Sequence, residues 1–178
     1  YIRRATMALL AAFSMWSYTA KAQQTTAVDY DAQYATELVK PGTKAPDFEL
    51  NSPDGKKVSL SQFKGKYVVL DFWASWCPDC RKDAPNIVAM YNKYKDKGVA
   101  FVGVSFDTDV AQWKAAIEKY SMKYAHVSEL KKMREANISK AYGVKWIPSL
   151  VLVDPQGKVV MGTVLSTKLE KELEKLFK

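Results

Sequence analysis

The chain contains few of the residues that stabilise small disulfide-rich scaffolds or bind metals. Among its 178 residues there are only two cysteines and one histidine. Two cysteines are too few for a framework of several disulfides, and a structural zinc site uses four ligands. Only eight glycines and seven prolines are present, so collagen-like repeats are excluded as well. With 48% hydrophobic and 26% charged residues, the sequence predicts one globular domain with a core of its own.

No hydrophobic run reaches the ~20 residues that a membrane-spanning helix needs. The apolar stretch 7–16 has about half that length, two arginines precede it, and Ala20-Lys21-Ala22 follows as a small-residue cleavage sequence. Residues 1–22 are therefore predicted to be a secretory signal peptide, and the alternative is a retained membrane anchor. We accordingly expect an exported protein.

The charges of the chain are unequal in number but are not clustered. Lysine and arginine total 27 against 19 aspartate and glutamate residues, which gives a formal charge of +8. The lysines are scattered and often stand beside acids, as in the stretch 170–175. No arginine cluster with interleaved aromatic residues is present in the sequence, so nucleic-acid binding is not expected.

Turn residues and hydrophobic periodicity divide the rest of the chain into a short N-terminal extension, residues 23–40, and one domain, residues 41–178. The predicted strands are a hairpin over 48–59, two buried strands at 67–73 and 99–106, and a second hairpin over 149–161. The predicted helices are 78–95, a stretch from Val110 to Tyr120 with Asp107 or Thr108 as its N-cap, and a C-terminal segment from Leu165 to Leu176. Between 121 and 142 we expect a loop and one short helix that ends at Gly143.

The order of these elements is β-hairpin, β, α, β, α, β, β, α. A succession of strand, helix and strand implies a parallel pair with a right-handed crossover. The second hairpin adds antiparallel strands. The sequence therefore predicts an α/β fold with a mixed central β-sheet flanked by helices and an N-terminal β-hairpin.

The two cysteines lie in the sequence Trp76-Cys77-Pro78-Asp79-Cys80, where the first buried strand meets the first long helix. This spacing brings the two sulfurs close enough to form a disulfide. If Pro78 opens the helix, the helix dipole and the free N–H groups favour the thiolate of Cys77, while Cys80 lies one turn inside. We therefore expect Cys77 to be the exposed, reactive thiol.

Three other interpretations of the cysteine pair are open. A structural disulfide would close a loop too short to stabilise much. A metal site would need further ligands, and the single histidine, His126, is far away in the sequence. Two inert buried thiols would be unusual at a strand–helix junction of an exported protein. Redox chemistry is thus the favoured hypothesis for Cys77 and Cys80.

Several segments resemble the thioredoxin family. The stretch 69–80 is similar to the thioredoxin active-site strand and turn, and 143–150 is similar to the segment whose cis-proline faces the disulfide. Pro85 matches the proline within the active-site helix. Together with the sequence 41–48 and the predicted signal peptide, these motifs resemble the exported TlpA/ResA-like branch over residues 38–165. The resemblance implies a thioredoxin fold and a location in the periplasm or cell envelope of a bacterium.

The resemblance also implies a role for each matching residue. Cys77 corresponds to the attacking cysteine and Cys80 to the resolving one. Pro148, which follows Ile147, corresponds to the cis-proline that shapes the substrate groove. Asp71 corresponds to the buried acid beneath the cysteines, a proton acceptor for Cys80, and its alternative role is that of a hydrogen-bonded core residue.

Further residues are expected around the cysteine pair. Asp83 stands where the ResA-like branch carries a glutamate near the active site, and on a helix it shares a face with Asp79. The residues expected to contact the substrate are Trp76, Pro78, Asp79, Ile147 and Pro148. Trp73 and Trp146 are candidates for the rim of the site, and Trp146 stands where thioredoxin has glycine.

These assignments imply an exported thiol-disulfide oxidoreductase that reduces disulfides of envelope proteins, with apocytochromes as one class of client and with no cofactor beyond the cysteine pair. The expected partners are protein thiols and disulfides and a membrane-bound electron donor, and the protein is expected to be a monomer. Two alternatives are open. A thiol peroxidase of the peroxiredoxin-related type would need a threonine three residues before its cysteine, where this chain has Ala74. A copper or zinc carrier would use Cys77, Cys80 and His126.

Overall fold

The computed structural model describes residues 27–178, so the predicted signal peptide, residues 1–22, lies outside the described residues. The described part contains five α-helices, and its seven β-strands form one sheet. The helices are α1 (Tyr30–Tyr34), α2 (Pro78–Tyr94), α3 (Val110–Lys119), α4 (Asn137–Tyr142) and α5 (Ser166–Leu176). The strands are β1 (Glu49–Asn51), β2 (Lys57–Ser59), β3 (Tyr67–Trp73), β4 (Val99–Ser105), β5 (Ala125–Ser128), β6 (Ser149–Val153) and β7 (Val159–Thr163). None of the helices within 27–178 is both long enough and apolar enough to cross a bilayer.

The strand order across the sheet is β2-β1-β5-β4-β3-β6-β7. β3, β4 and β5 are parallel to one another, as successive strand–helix–strand crossovers require. β6 runs antiparallel to β3, and β7 runs antiparallel to β6, so the second hairpin extends one side of the sheet. The predicted mixed sheet is therefore confirmed, and so is its N-terminal hairpin, which is formed by β1 and β2.

The central strands are buried on both faces of the sheet. In β3 every residue after Tyr67 is buried, and all of β6 is buried, although successive side chains of a strand point to opposite faces. Helices must therefore cover both faces. Accordingly, the largest fully buried side chains include Trp113 of α3, Tyr94 of α2 and Tyr142 of α4. The near-continuous apolar run of β3 ends at the loop that carries the two cysteines.

Two elements do not follow from the sequence pattern. β5 has only four residues, three of them buried in succession, so it shows no alternation. It lies between β4 and β1 and joins the N-terminal hairpin to the rest of the sheet. α1 has five residues and none of them is buried, so its sequence carries no apolar periodicity that would predict a helix.

The ends of the middle helices are partly as predicted. The expected short helix is α4, and Gly143 is its C-cap with a left-handed φ of 67°. The predicted N-cap of α3 at Asp107 or Thr108 is wrong. Asp109 takes that position, because its side chain accepts a hydrogen bond from the backbone N–H of Gln112 at 2.9 Å.

Candidate active site

The two cysteines are joined by a disulfide at the N-terminal end of α2. Cys77 is the N-cap residue, Pro78 opens the helix, and Cys80 lies within its first turn. The Sγ atom of Cys77 accepts a hydrogen bond from the backbone N–H of Cys80, with an N···S distance of 3.1 Å. The positive end of the helix dipole is thus directed at the Cys77 sulfur, as the position of Pro78 predicts.

Both cysteines are buried in this oxidised form, in which Cys77 is 4% and Cys80 is 5% exposed. The expectation of an exposed Cys77 is therefore wrong for the disulfide state. The reason is the segment opposite, since the Cys77 Sγ atom lies 3.7 Å from the carbonyl oxygen of Ile147. The neighbouring side chains are open to solvent instead: Trp76 is 54% exposed, and Pro78 is exposed as well. A substrate therefore meets Trp76 and the first residues of α2 before it meets sulfur.

The loop before β6 faces the disulfide. Its Ile147–Pro148 peptide bond is cis, as the resemblance implies. Ile147 and Pro148 are buried, whereas Trp146 is 37% exposed. A groove of about 650 Å³ lies between Trp146 and Pro148 on one side and Asp79 and Asp83 of α2 on the other. Of the residues expected to contact the substrate, Asp79 and Pro148 thus line one groove, and Trp76 and Pro78 lie exposed beside the disulfide.

Asp71 lies in the middle of β3 and is 3% exposed. Burial and, in second place, the negative charge of Asp83 raise the pKa of the Asp71 carboxyl to about 7. The Tyr124 hydroxyl lowers this pKa, because it donates a hydrogen bond to Asp71 Oδ2 at 3.4 Å. A carboxyl with this pKa exchanges its proton near neutral pH, which is the property required of a proton acceptor for a thiol.

Asp83 is half-buried on α2 and is held by hydrogen bonds from two other side chains. Its Oδ1 atom accepts from Ser166 Oγ at 2.6 Å and from Asn86 Nδ2 at 3.0 Å. The structure brings Asp83 close enough to Asp71 for their charges to interact. Asp83 therefore lies within the candidate site, where it acts on the electrostatics of the buried acid.

Asp71 is the first of three residues that lie side by side on the neighbouring strands β3, β4 and β5. Asp71 of β3 is paired with Gly103 of β4, and Gly103 is paired with His126 of β5. A Cβ atom at position 103 would stand 2.8 Å from Cε1 of the His126 ring, so only glycine leaves room for the ring. Burial lowers the pKa of His126 to about 4. The hydrogen bond from its Nε2 to the carbonyl oxygen of Met122 raises this pKa, but its effect is smaller than that of burial. His126 is thus a neutral core residue near neutral pH.

The side chain of Trp73 differs from its expected role, and the arrangement of the possible ligand side chains bears on the metal-site alternatives. Trp73 is buried beside His126, with the ring centroids 6.1 Å apart, so its expected place on the rim is wrong. The reason is that Trp73 still belongs to β3, whose side chains after Tyr67 are all buried. Within residues 27–178, no group of three or more His, Cys, Asp or Glu side chains is placed to hold a metal ion.

Asp107 holds the loop between β3 and α2, a role that sequence reasoning missed. This buried carboxylate accepts hydrogen bonds from the Ser75 backbone N–H at 3.0 Å, from the Ser75 hydroxyl, and from Ser105 Oγ at 2.6 Å. These bonds fix the backbone just before Trp76 and Cys77. One feature of the sequence could have indicated this role: Asp107 directly follows the predicted buried strand 99–106. An acid that is buried at such a position needs several hydrogen-bond donors.

Replacing Asp107 with alanine is expected to destabilise the oxidised protein by about 2 kcal/mol, because one buried donor on Ser105 and two partly buried donors on Ser75 lose their acceptor. Urea unfolding at neutral pH measures this difference. Ser75→Ala removes one of the hydroxyl donors and leaves the carboxylate, so its expected loss is about 1 kcal/mol. Equal stability of Asp107→Ala and the unaltered protein would contradict the role of Asp107 in holding the loop.

The mixed sheet, the disulfide at the start of α2 and the Ile147–Pro148 segment opposite it define a thioredoxin fold with a dithiol–disulfide centre. The AhpC/TSA family profile matches residues 41–161, and the chain belongs to this family. The similar proteins are thiol-disulfide oxidoreductases, and this chain is a thiol-disulfide oxidoreductase as well.

Two relatives and two solved structures illustrate the similarity. The thiol-disulfide oxidoreductase ResA of Bacillus thuringiensis subsp. konkukian is 36% identical over 144 residues, which cover 79% of this chain and 80% of that protein. ResA of Bacillus subtilis is 34% identical over 132 residues, which cover 74% and 72% of the two chains. The thioredoxin domain of a thiol-disulfide oxidoreductase from Bacteroides vulgatus has a TM-score of 0.72 at 36% identity and covers 79% of this chain and 99% of its own. A thiol:disulfide interchange protein from Bacteroides sp. has a TM-score of 0.70 at 36% identity, with coverage of 79% and 91%.

Proposed function

We propose that the protein reduces disulfides of other proteins in a bacterial cell envelope, with Cys77 and Cys80 as the reacting pair. The observation that carries this proposal is the position of the disulfide at the start of α2, against the Ile147 carbonyl and beside an open groove. In the reduced form, the Cys77 thiolate attacks a client disulfide, and the thiol of Cys80 then displaces the client. The client disulfide gains two electrons and two protons, and the Cys77–Cys80 disulfide forms, so no cofactor is needed.

The proposed location rests on the N-terminal sequence and on the resemblance to the exported branch. Two arginines, the apolar stretch 7–16 and the sequence Ala20-Lys21-Ala22 have the order typical of a signal peptide. An exported reductant must itself be reduced again, so we propose a membrane-bound electron donor. The apocytochromes c are a client class within this proposal, because haem is attached to a Cys-x-x-Cys-His sequence. We further propose that the protein acts as a monomer.

The reduction potential of the cysteine pair tests the direction of electron flow. A reductant is expected to have a potential near the −270 mV typical of thioredoxin, whereas a value near the roughly −120 mV of DsbA is typical of an oxidant. The protein lacking residues 1–22 would be equilibrated with dithiothreitol or glutathione buffers. The oxidised fraction would be followed by tryptophan fluorescence, because Trp76 adjoins the disulfide. A potential near that of DsbA would contradict the proposed reductant role.

The same preparation separates the proposal from the two alternative functions. We expect fast reduction of insulin disulfides, no catalysed turnover of hydrogen peroxide and no bound copper or zinc. Ala74 is buried three residues before Cys77 and has no hydroxyl with which to assist a peroxide-reducing thiolate. Peroxide turnover without insulin reduction would favour the peroxidase, and metal held through Cys77 and Cys80 would favour the carrier.

A further inference from the structure

One wall of the groove beside Pro148 comes from residues that precede the segment matched by the family profile. Tyr30 and Tyr34 of α1 line the groove together with Trp146. The rings of Tyr34 and Trp146 are stacked, with centroids 4.1 Å apart and planes at 26°. The ring of Tyr30 is stacked on that of Tyr34 at 6.4 Å. Tyr30, Tyr34 and Trp146 together form the aromatic wall.

Asp31 holds α1 against the domain. Its carboxylate accepts hydrogen bonds from Thr163 Oγ1 at 2.9 Å, from the Val164 backbone N–H at 2.8 Å and from Lys168 Nζ at 2.7 Å. Partial burial raises the pKa of Asp31, but the hydrogen bonds from Lys168, Val164 and Thr163 outweigh it and bring the pKa below its ordinary value. The carboxylate is therefore ionised at neutral pH and keeps its donors. Leu38, which follows α1, is buried in the core and anchors the segment at its other end.

The wall that faces α1 is polar and belongs to α2 and to the start of α5. Its residues are Asp79, Lys82, Asp83, Asn86, Ser166 and Thr167. A groove of about 650 Å³ is within the range of sites that enclose small ligands or a few residues of a peptide. An extended peptide presents successive side chains to opposite sides. One aromatic and one polar wall therefore fit a segment with an aromatic side chain on one side and polar groups on the other.

We infer that α1 is a specificity-determining element, and that the aromatic wall selects client segments with an aromatic side chain beside the cysteine to be reduced. This inference rests on the proposed function, since it names the clients of the same disulfide. A client sulfur must reach Cys77, which contacts the carbonyl of Ile147. The residue beside the client cysteine therefore passes Pro148 and the half-exposed ring of Trp146.

An aromatic side chain at that position can stack on the wall, whereas a serine cannot. Trp146 is 37% exposed and Tyr30 is 47% exposed, so both offer ring surface to an incoming side chain. Stacking together with burial of the client ring is expected to give a preference of about 10-fold in the rate constant. The small α1 thereby adds recognition of a client side chain to a dithiol centre that reacts with the client disulfide itself.

The test uses two cyclic disulfide peptides of the same sequence except for the residue before each cysteine, which is phenylalanine in one and serine in the other. Stopped-flow tryptophan fluorescence gives the second-order rate constant with which the fully reduced protein reduces each peptide. The unaltered protein is expected to reduce the phenylalanine peptide about 10-fold faster than the serine peptide. In Tyr30→Ala/Tyr34→Ala we expect this ratio to fall to about 2 or less, and in Tyr34→Phe, which keeps the ring, we expect it to be retained.

A second variant tests the same rate ratio and leaves all three aromatic rings in place. Asp31→Ala takes away the acceptor that holds α1, so the ratio is expected to fall in this variant too. Met133→Ala is the matched control, because Met133 lines a separate groove beside Trp76 with Phe106. The ratio in this control is expected to equal that of the unaltered protein.

Three results would overturn the inference. One is a ratio near one in the unaltered protein, and another is a ratio that survives in both Tyr30→Ala/Tyr34→Ala and Asp31→Ala. The third is an equal slowing of both peptides in those variants, which would assign α1 a structural role. Failure of the unaltered protein to reduce either peptide would instead overturn the proposed function, and with it the inference.

Discussion

Replacing Cys77 with serine is expected to lower the rate of disulfide reduction by at least ~1000-fold, because a serine hydroxyl does not supply the thiolate that attacks. Cys80→Ser is expected to make the first attack but not to complete the reaction. A mixed disulfide between Cys77 and the client should then accumulate. The physical basis is the N-cap position of Cys77, where the end of α2 stabilises a negative sulfur. Mass spectrometry under non-reducing conditions, after incubation with a disulfide peptide, measures the trapped adduct.

The two single variants serve as controls for each other. The double variant Cys77→Ser/Cys80→Ser has no thiol within the sequence and should form no adduct. If Cys77→Ser traps the peptide as efficiently as Cys80→Ser, the assignment of Cys77 as the attacking cysteine and Cys80 as the resolving one is wrong. Burial of both cysteines in the oxidised form makes this comparison informative, because exposure alone does not distinguish them.

Asp71→Asn is expected to slow reduction of a disulfide peptide by roughly 10-fold to 100-fold near pH 7, because we propose that the Asp71 carboxyl accepts the Cys80 proton and the asparagine amide cannot. The loss should be smaller near pH 9, where hydroxide can take the proton. The pKa of Asp71 is raised to about 7, mainly by burial, so the rate of the unaltered protein should change most around that pH. Single-turnover rates measured from about pH 5 to about pH 9.5 test this pH dependence. A profile of the same shape in Asp71→Asn would leave Asp71 as a core hydrogen-bonding residue.

Two neighbours of Asp71 should move this profile in opposite directions. The Tyr124 hydroxyl lowers the pKa of Asp71, so Tyr124→Phe is expected to shift the change in rate to higher pH. The charge of Asp83 raises the pKa of Asp71, so Asp83→Asn is expected to shift the change to lower pH. Shifts in the same direction in both variants would contradict the assignment of the profile to Asp71.

The stability of the oxidised protein should depend on pH through the same carboxyl. The pKa of Asp71 is raised in the folded protein from its ordinary value of 3.8 to about 7. The stability that the protonated carboxyl contributes is therefore fully present below about pH 4 and is lost as pH rises through 7. Asp71→Asn should consequently be more stable than the unaltered protein at pH 8, on the order of 3 kcal/mol, and show little of this gain at pH 4. Urea unfolding at the two pH values measures the difference.

The sequence by itself determined the fold class and the chemical centre, because both depend on local signals. A single stretch of the chain, residues 67–80, contains the signals: an apolar strand, a proline at the start of a helix and two cysteines one turn apart. The order of strands and helices predicts the mixed sheet, since parallel pairs need a crossover and hairpins do not. An acid within an apolar run likewise marks Asp71 as a residue that needs a partner or a function.

Only the tertiary structure decided which residues surround this centre. The burial of Cys77 depends on Ile147, which is 70 positions away, and the partner of Asp71 is Tyr124, at a distance of 53 positions. The contact that holds α1 joins Asp31 to Thr163 across 132 positions. Such partners are set by which strands are neighbours in the sheet and by where the helices pack. No periodicity within either segment specifies its partner, so these contacts arise only when the strands and helices are assembled.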